Sequence, residues 1–226
     1  FKGIWEDLTE KMGYWVDMEN PYITYDKKYI ESVWHLLKRL FDKDLLYKGY
    51  TIQPYSPAAG TGLSSHELNQ PGTYQNVKDV SCTAQFEIED RENEFFLAWT
   101  TTPWTLPSNS ALAVGKKITY LKLETLNPYT LKKIKVYVAK DLLGNYFKKE
   151  GEEKDFESFK KNDKVIPYRV IDEIKGADLV GLRYKQLLDY VKPNGDAFRV
   201  IEGDFVTTED GTGIVHTAPT FGADDA

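Results

Sequence analysis

The run Trp99-Thr100-Thr101-Thr102-Pro103-Trp104-Thr105-Leu106-Pro107-Ser108-Asn109 crowds four threonines, two tryptophans and two prolines into residues 99–107. Proline fixes φ and removes a donor, so the segment cannot continue as a regular helix or central strand. Hydroxyls both donate and accept, so threonines on a stiff loop suit sugar hydroxyls, ester oxygens and a held water. The same composition also fits a threonine-rich strand end followed by a proline turn. A second segment, Asp210-Gly211-Thr212-Gly213-Ile214-Val215-His216-Thr217-Ala218-Pro219-Thr220-Phe221-Gly222-Ala223-Asp224-Asp225, combines glycines with a histidine and two carboxylates. Gly211 and Gly213 permit close backbone approach or unusual φ. No Lys-Ser/Thr follows them, so the phosphate-loop signal is weak. His216 among small and apolar neighbours fits either a satisfied structural histidine or the wall of a site. Asp224 and Asp225 are placed to cap a following helix.

Other chemistries fall away. The histidines His35, His66 and His216 have no His-Glu-x-x-His spacing, and no Gly-x-Ser-x-Gly elbow occurs. Cys82 stands alone, which excludes an intrachain disulfide framework and a multi-cysteine metal site. It is expected to be a buried, inert thiol.

These residues need elements to position them. The chain has 226 residues, 41% hydrophobic and 28% charged, enough for a packed core. No apolar run approaches the roughly 18 residues of a membrane span, and no signal peptide is evident. Phe1 in place of Met suggests an excised segment. The net charge of −6 argues against binding along a nucleic-acid backbone, though one nucleotide end could still enter a pocket. A helix is predicted over about 27–47, where Ile30, Val33, Trp34, Leu37, Leu40 and Phe41 share one face, with Asp26 as cap and Gly49 closing it. Residues 50–82 read as a connector. From Thr83 the period becomes two, with strands expected near 83–88, 95–99, 111–114, 118–123, 134–138, 165–171, 179–182, 198–201 and 214–215. Helical insertions are expected near 141–147 and 184–190, and a mobile charged loop over 148–164. The layout is α+β: a helical segment (residues 1–49), a connector (50–82), and a mainly β, barrel-like domain with helical insertions (83–226).

The two segments together closely resemble the editing domain inserted in isoleucyl-tRNA synthetases. Thr-Thr-Thr-Pro-Trp-Thr-Leu-Pro-x-Asn looks like one family signature, and Gly-Thr-Gly-Ile-Val-His-x-Ala-Pro-x-Phe-Gly-x-x-Asp like the other. Leucyl and valyl enzymes usually carry Arg-Pro after two threonines, where this chain has Thr102-Pro103-Trp104. Leu37 to Gly49 resembles the edge of the synthetic domain, and Pro54 to Glu67 the connector into the insertion. Many relatives carry cysteine where this chain has Ala58-Ala59, so no zinc is expected there.

The resemblance implies an editing β-barrel that hydrolyses the ester of valine misplaced on tRNA(Ile). One missing methylene discriminates too weakly in a single pocket, and the isoleucine–valine pair is the worked case of that limit. The implied catalytic residues are Thr100, Thr101, Thr102 and Asp225, with Asp225 holding the substrate's α-ammonium. The implied substrate-binding residues are Trp104, Asn109, His216 and Asp225, with no metal. No cofactor is expected for editing. ATP would serve only the full-length synthetase, because His-x-Gly-His and Lys-Met-Ser-Lys-Ser type motifs are absent here. Implied partners are the valine-charged 3′ end of tRNA(Ile) and the rest of the synthetase chain, with no membrane or DNA, in the cytoplasm. The alternatives are an editing domain of valyl or leucyl type, or a module that grips a tRNA end without hydrolysis.

Overall fold

The computed structural model of the chain describes every residue except Ala223 and Ala226. The chain divides into two compact units, Phe1–Tyr50 and Thr51–Ala226. The first holds α1 (Lys2–Lys11) and α2 (Lys27–Phe41). Asp26 caps α2 as expected, its carboxylate accepting from the Lys28 N–H. The helix ends well before the predicted 47, because Asp44 takes a left-handed φ of 56°. The Leu45 N–H then reaches the Leu40 carbonyl and the Asp44 N–H that of Phe41, both at 3.0 Å. This is a Schellman closure made by Asp44, not by Gly49.

The second unit opens on a short hairpin, β1 (Tyr55–Ser56) with β2 (Thr61–Gly62), and α3 (Ser65–Leu68). Ser64 and Glu67 form a capping box on α3. The main sheet has the order β3-β4-β7-β6-β8, comprising β3 (Cys82–Glu87), β4 (Glu94–Thr100), β6 (Thr119–Leu126), β7 (Lys133–Ala139) and β8 (Tyr168–Lys175). A smaller sheet has the order β10-β5-β9, comprising β5 (Ala111–Val114), β9 (Arg199–Glu202) and β10 (Ile214–Thr217). The β4–β7 and β5–β9 pairs are parallel, and the other pairs antiparallel. Burial follows position. β5 lies at the centre of its sheet and is buried throughout. β8 is an edge strand with a mostly exposed, charged face. One apolar cluster draws Phe86, Phe96, Tyr137 and Leu123 from the large sheet and Leu112, Val200 and Ile214 from the small one.

The α+β class holds. Among the described residues the strands make two separate main sheets, and no closed barrel is formed. Three local expectations fail. The apolar stretch 179–182 is the end of the short helix α5 (Gly176–Leu179) and a turn: Gly181 has φ 89°, and the stretch meets β9 only through the Gly181 N–H on the Val200 carbonyl and the Val200 N–H on the Leu182 carbonyl. Residues 184–190 are irregular rather than helical. Tyr184 instead forms a bridge to Ile88 and its ring packs edge-on against Phe86. The helix near 141–147 is present as α4 (Leu143–Tyr146). The charged stretch 148–164 is anchored rather than loose: Phe159 is buried, Lys154 pairs with Asp163 at 3.1 Å, and the Arg169 guanidinium donates to the Lys154 carbonyl at 3.0 Å.

Candidate functional site

The threonine-rich segment leaves the end of β4 and tightens into a single 3₁₀ stretch, Pro103–Ser108, with Pro103 at its start. The second segment turns at Gly211 and Gly213 before β10, and β10 packs against β4 and pairs with β5. Gly213 is required twice over. Its φ is 74°, and a Cβ there would overlap the Ala139 methyl group. The Tyr120 hydroxyl pins this turn, donating to the Gly213 carbonyl at 2.6 Å while accepting from the Gly115 N–H at 3.0 Å.

Between these segments lies a cleft of about 400 Å³. Thr100, Thr101, Thr102, Trp104, His216 and Asp225 all line it, so residues far apart in sequence share one surface. Trp104 is 63% exposed, which removes the option that its indole is core packing. Thr101 and Thr102 are exposed, whereas Thr100 is buried at the strand end. The Thr100 hydroxyl accepts from the Thr102 N–H at 3.0 Å and lies 3.2 Å from the Thr102 hydroxyl. The Asp225 Oδ2 accepts the Ala218 N–H at 2.9 Å, which orients a carboxylate that retains further acceptor capacity. Asp210 adds a second carboxylate, and none of the described lining residues is Lys or Arg. The cleft therefore favours a cationic group and is poorly suited to phosphate.

His216 is 8% exposed and is hydrogen-bonded at both nitrogens, with the Thr105 Oγ1 2.9 Å from Nε2 and the Asn109 Nδ2 2.8 Å from Nδ1. Burial lowers its pKa from the usual histidine value, opposed by the Asp225 carboxylate. Asn109 is buried behind the wall and does not line the cleft. Its amide nitrogen also donates to the Ala111 carbonyl at 2.9 Å, and its oxygen accepts from the Tyr184 hydroxyl at 2.7 Å. Thr105, Phe205, Thr207 and Phe221 also line it. Thr105 stands inside the first motif and was open to detection there. Phe205 and Thr207 carry no local signal. Among the described residues, no cluster of His, Cys, Asp or Glu could hold a metal ion.

The family model of class I tRNA synthetases (I, L, M and V) matches residues 1–208. An isoleucine–tRNA ligase of Cytophaga hutchinsonii is 62% identical over 230 residues, covering 100% of this chain and 21% of that protein. One of Clostridium tetani is 47% identical over 225 residues, covering 100% of this chain and 19% of that protein. The chain thus spans about a fifth of the length of these curated relatives. Among solved structures, a P. knowlesi cytosolic leucyl-tRNA synthetase editing domain is similar with TM-score 0.47 and 15% identity, over 64% of this chain and 60% of that one. With the family model covering nearly all of its length, the chain belongs to the class I tRNA synthetases (I, L, M and V).

Proposed function

We propose that the cleft hydrolyses the ester joining an amino acid to the terminal adenosine of tRNA, with valine on tRNA(Ile) as the substrate. The observation that carries this reading is the convergence of the Thr100–Thr102 hydroxyls and the Asp225 carboxylate on one cation-favouring cleft. The likeness to isoleucine–tRNA ligases along the whole chain supports the choice of tRNA.

Ester hydrolysis needs a fixed acyl group, a placed water and donors aimed at the developing oxyanion. Asp225 binds the substrate α-ammonium in a charge-assisted pair, which selects an aminoacyl ester over a plain ester. Thr101 and Thr102 present hydroxyls to the ribose, the ester oxygen and the water. Trp104 covers the mouth, and the His216 ring edge bounds the space for the amino-acid side chain. The chemistry requires no metal or cofactor, and ATP belongs to the synthetic site of the longer protein. The other partners are the rest of that chain and the tRNA 3′ end, in the cytoplasm. Among the described residues, no helix is long and apolar enough to cross a membrane.

The test is release of amino acid from valyl-tRNA(Ile) and isoleucyl-tRNA(Ile) on incubation with the chain. Faster release of valine is expected. Tight binding of tRNA with release no faster than in buffer would establish a binding module instead. A preference for mischarged tRNA(Leu) or tRNA(Val) would assign the leucyl or valyl type.

A further inference from the structure

Four side chains, Thr105 and His216 in the cleft wall with Asn109 and Tyr184 behind it, form one directional chain of hydrogen bonds, and its polarity follows from chemistry alone. The Asn109 amide group faces the Ala111 carbonyl at 2.9 Å. An amide oxygen turned toward that carbonyl would set two acceptors against each other, so the NH₂ must lie on that side. One of its hydrogens binds the carbonyl, and the other points at Nδ1 of His216, 2.8 Å away. Nδ1 therefore accepts and carries no proton. The proton of a neutral imidazole then sits on Nε2, which donates to the Thr105 Oγ1 at 2.9 Å. The Thr105 hydroxyl passes its own hydrogen to the Thr102 carbonyl at 2.8 Å. At the other end, the Tyr184 hydroxyl donates to the Asn109 oxygen at 2.7 Å. Tyr184 is fully buried, held edge-on between Phe86 and Phe198, and burial keeps its hydroxyl protonated.

We propose that Tyr184 acts as a positioning residue: through Asn109 it holds His216 neutral with its proton on Nε2, so that the imidazole is a fixed donor to Thr105 rather than a base. Neither nitrogen is then open to an attacking water, because Nδ1 is turned to Asn109 and Nε2 is already protonated. The ring instead fixes Thr105, and Thr105 fixes the backbone of Thr102 at the lip of the cleft. An imidazolium would place a donor at Nδ1 against the amide donor and break the chain at that point.

The tautomer can be read without any substrate, by nitrogen-15 NMR of the His216 ring in the unaltered protein near neutral pH. A protonated Nε2 and an unprotonated Nδ1 are expected. A proton on Nδ1, or on both nitrogens, would overturn the proposal, and this reading does not depend on any variant folding. Tyr184→Phe removes the donor to the amide oxygen and leaves the amide held only by the Ala111 carbonyl and the His216 ring, so a minor signal of the second tautomer is expected beside the first. An unchanged single tautomer in the folded variant would show that Tyr184 is not the orienting group. Asn109→Asp offers only acceptors and is expected to move the proton to Nδ1.

The effect on hydrolysis rests on the deacylase reading above. There Tyr184→Phe should lower valyl-tRNA(Ile) deacylation by about tenfold through kcat, the factor given by roughly one displaced hydrogen bond. A shifted tautomer with unchanged kcat would overturn the link to catalysis and leave the deacylase reading standing. A wild-type chain with the expected tautomer but no hydrolysis would defeat that reading and leave the tautomer assignment standing.

Discussion

Asp225 reaches the cleft from a turn whose geometry it helps to set, since its Oδ2 holds the Ala218 N–H. Asp225→Ala should lower valyl-tRNA(Ile) deacylation by about ten- to a hundredfold, the equivalent of losing a charged hydrogen bond worth about 1.5–3 kcal/mol. An unaltered rate in a deacylation assay would remove it from the site. Thr101 and Thr102 are exposed, so replacing both with valine should weaken hydrolysis while keeping thermal unfolding near that of wild type. If the double variant unfolds but its folded fraction is fully active, the hydroxyls serve structure. His216 supplies a pH prediction. Its folded-state pKa is lowered by burial, so below the usual value of 6.5 the unfolded chain takes up a proton that the native state refuses. Its contribution to stability is therefore complete above that pH and declines as pH falls toward the lowered folded value. Urea unfolding across this range should show the slope, and His216→Gln should flatten it. At this scale the motif residues were legible because they are consecutive in the chain. The role of Asn109 was not: a polar side chain at a motif's end reads as a substrate contact, whereas its three hydrogen bonds all point inward.

Among the elements, the Gly211–Gly213 turn lines the cleft with two glycines at positive φ. Gly213→Ala adds a methyl group where the Ala139 methyl already sits, at a φ unfavourable to L-residues, and should cost about 1–3 kcal/mol. Chemical denaturation would measure it, and a loss within error would mean the turn can relax. The strands from 83 onward were readable where burial alternates or runs unbroken, as in β3 and β4. The stretches 179–182 and 184–190 misled because short apolar runs look alike whether they form a strand, a helix turn or a tethered loop. Their outcome was set by Gly181 and by the packing of Tyr184.

For the whole molecule, the two units differ sharply in burial. No residue of Phe1–Tyr50 is buried, and Trp5, Trp15, Trp34 and Phe41 are exposed there. Local opening is easiest where few apolar contacts resist it. Brief proteolysis should therefore cut first within residues 1–50 and leave the β-rich unit intact, as mass spectrometry of the fragments would show. Early cuts between β4 and β7 would contradict this. The likeness to isoleucyl-tRNA synthetases, drawn from two motifs, agrees with relatives 62% identical along the chain. Sequence by itself determined what depends on near neighbours: the cap and face of α2, the strand periods, and the threonine and glycine motifs. Only the tertiary structure decided that β10 pairs with β5 in the register setting His216 opposite Leu112, and that Thr105 meets a ring 111 positions away. The reason is physical. Helix caps and side-chain periods are set by local backbone geometry, whereas strand partners and register depend on which faces bury together, and a slip of one residue would turn His216 away from the cleft.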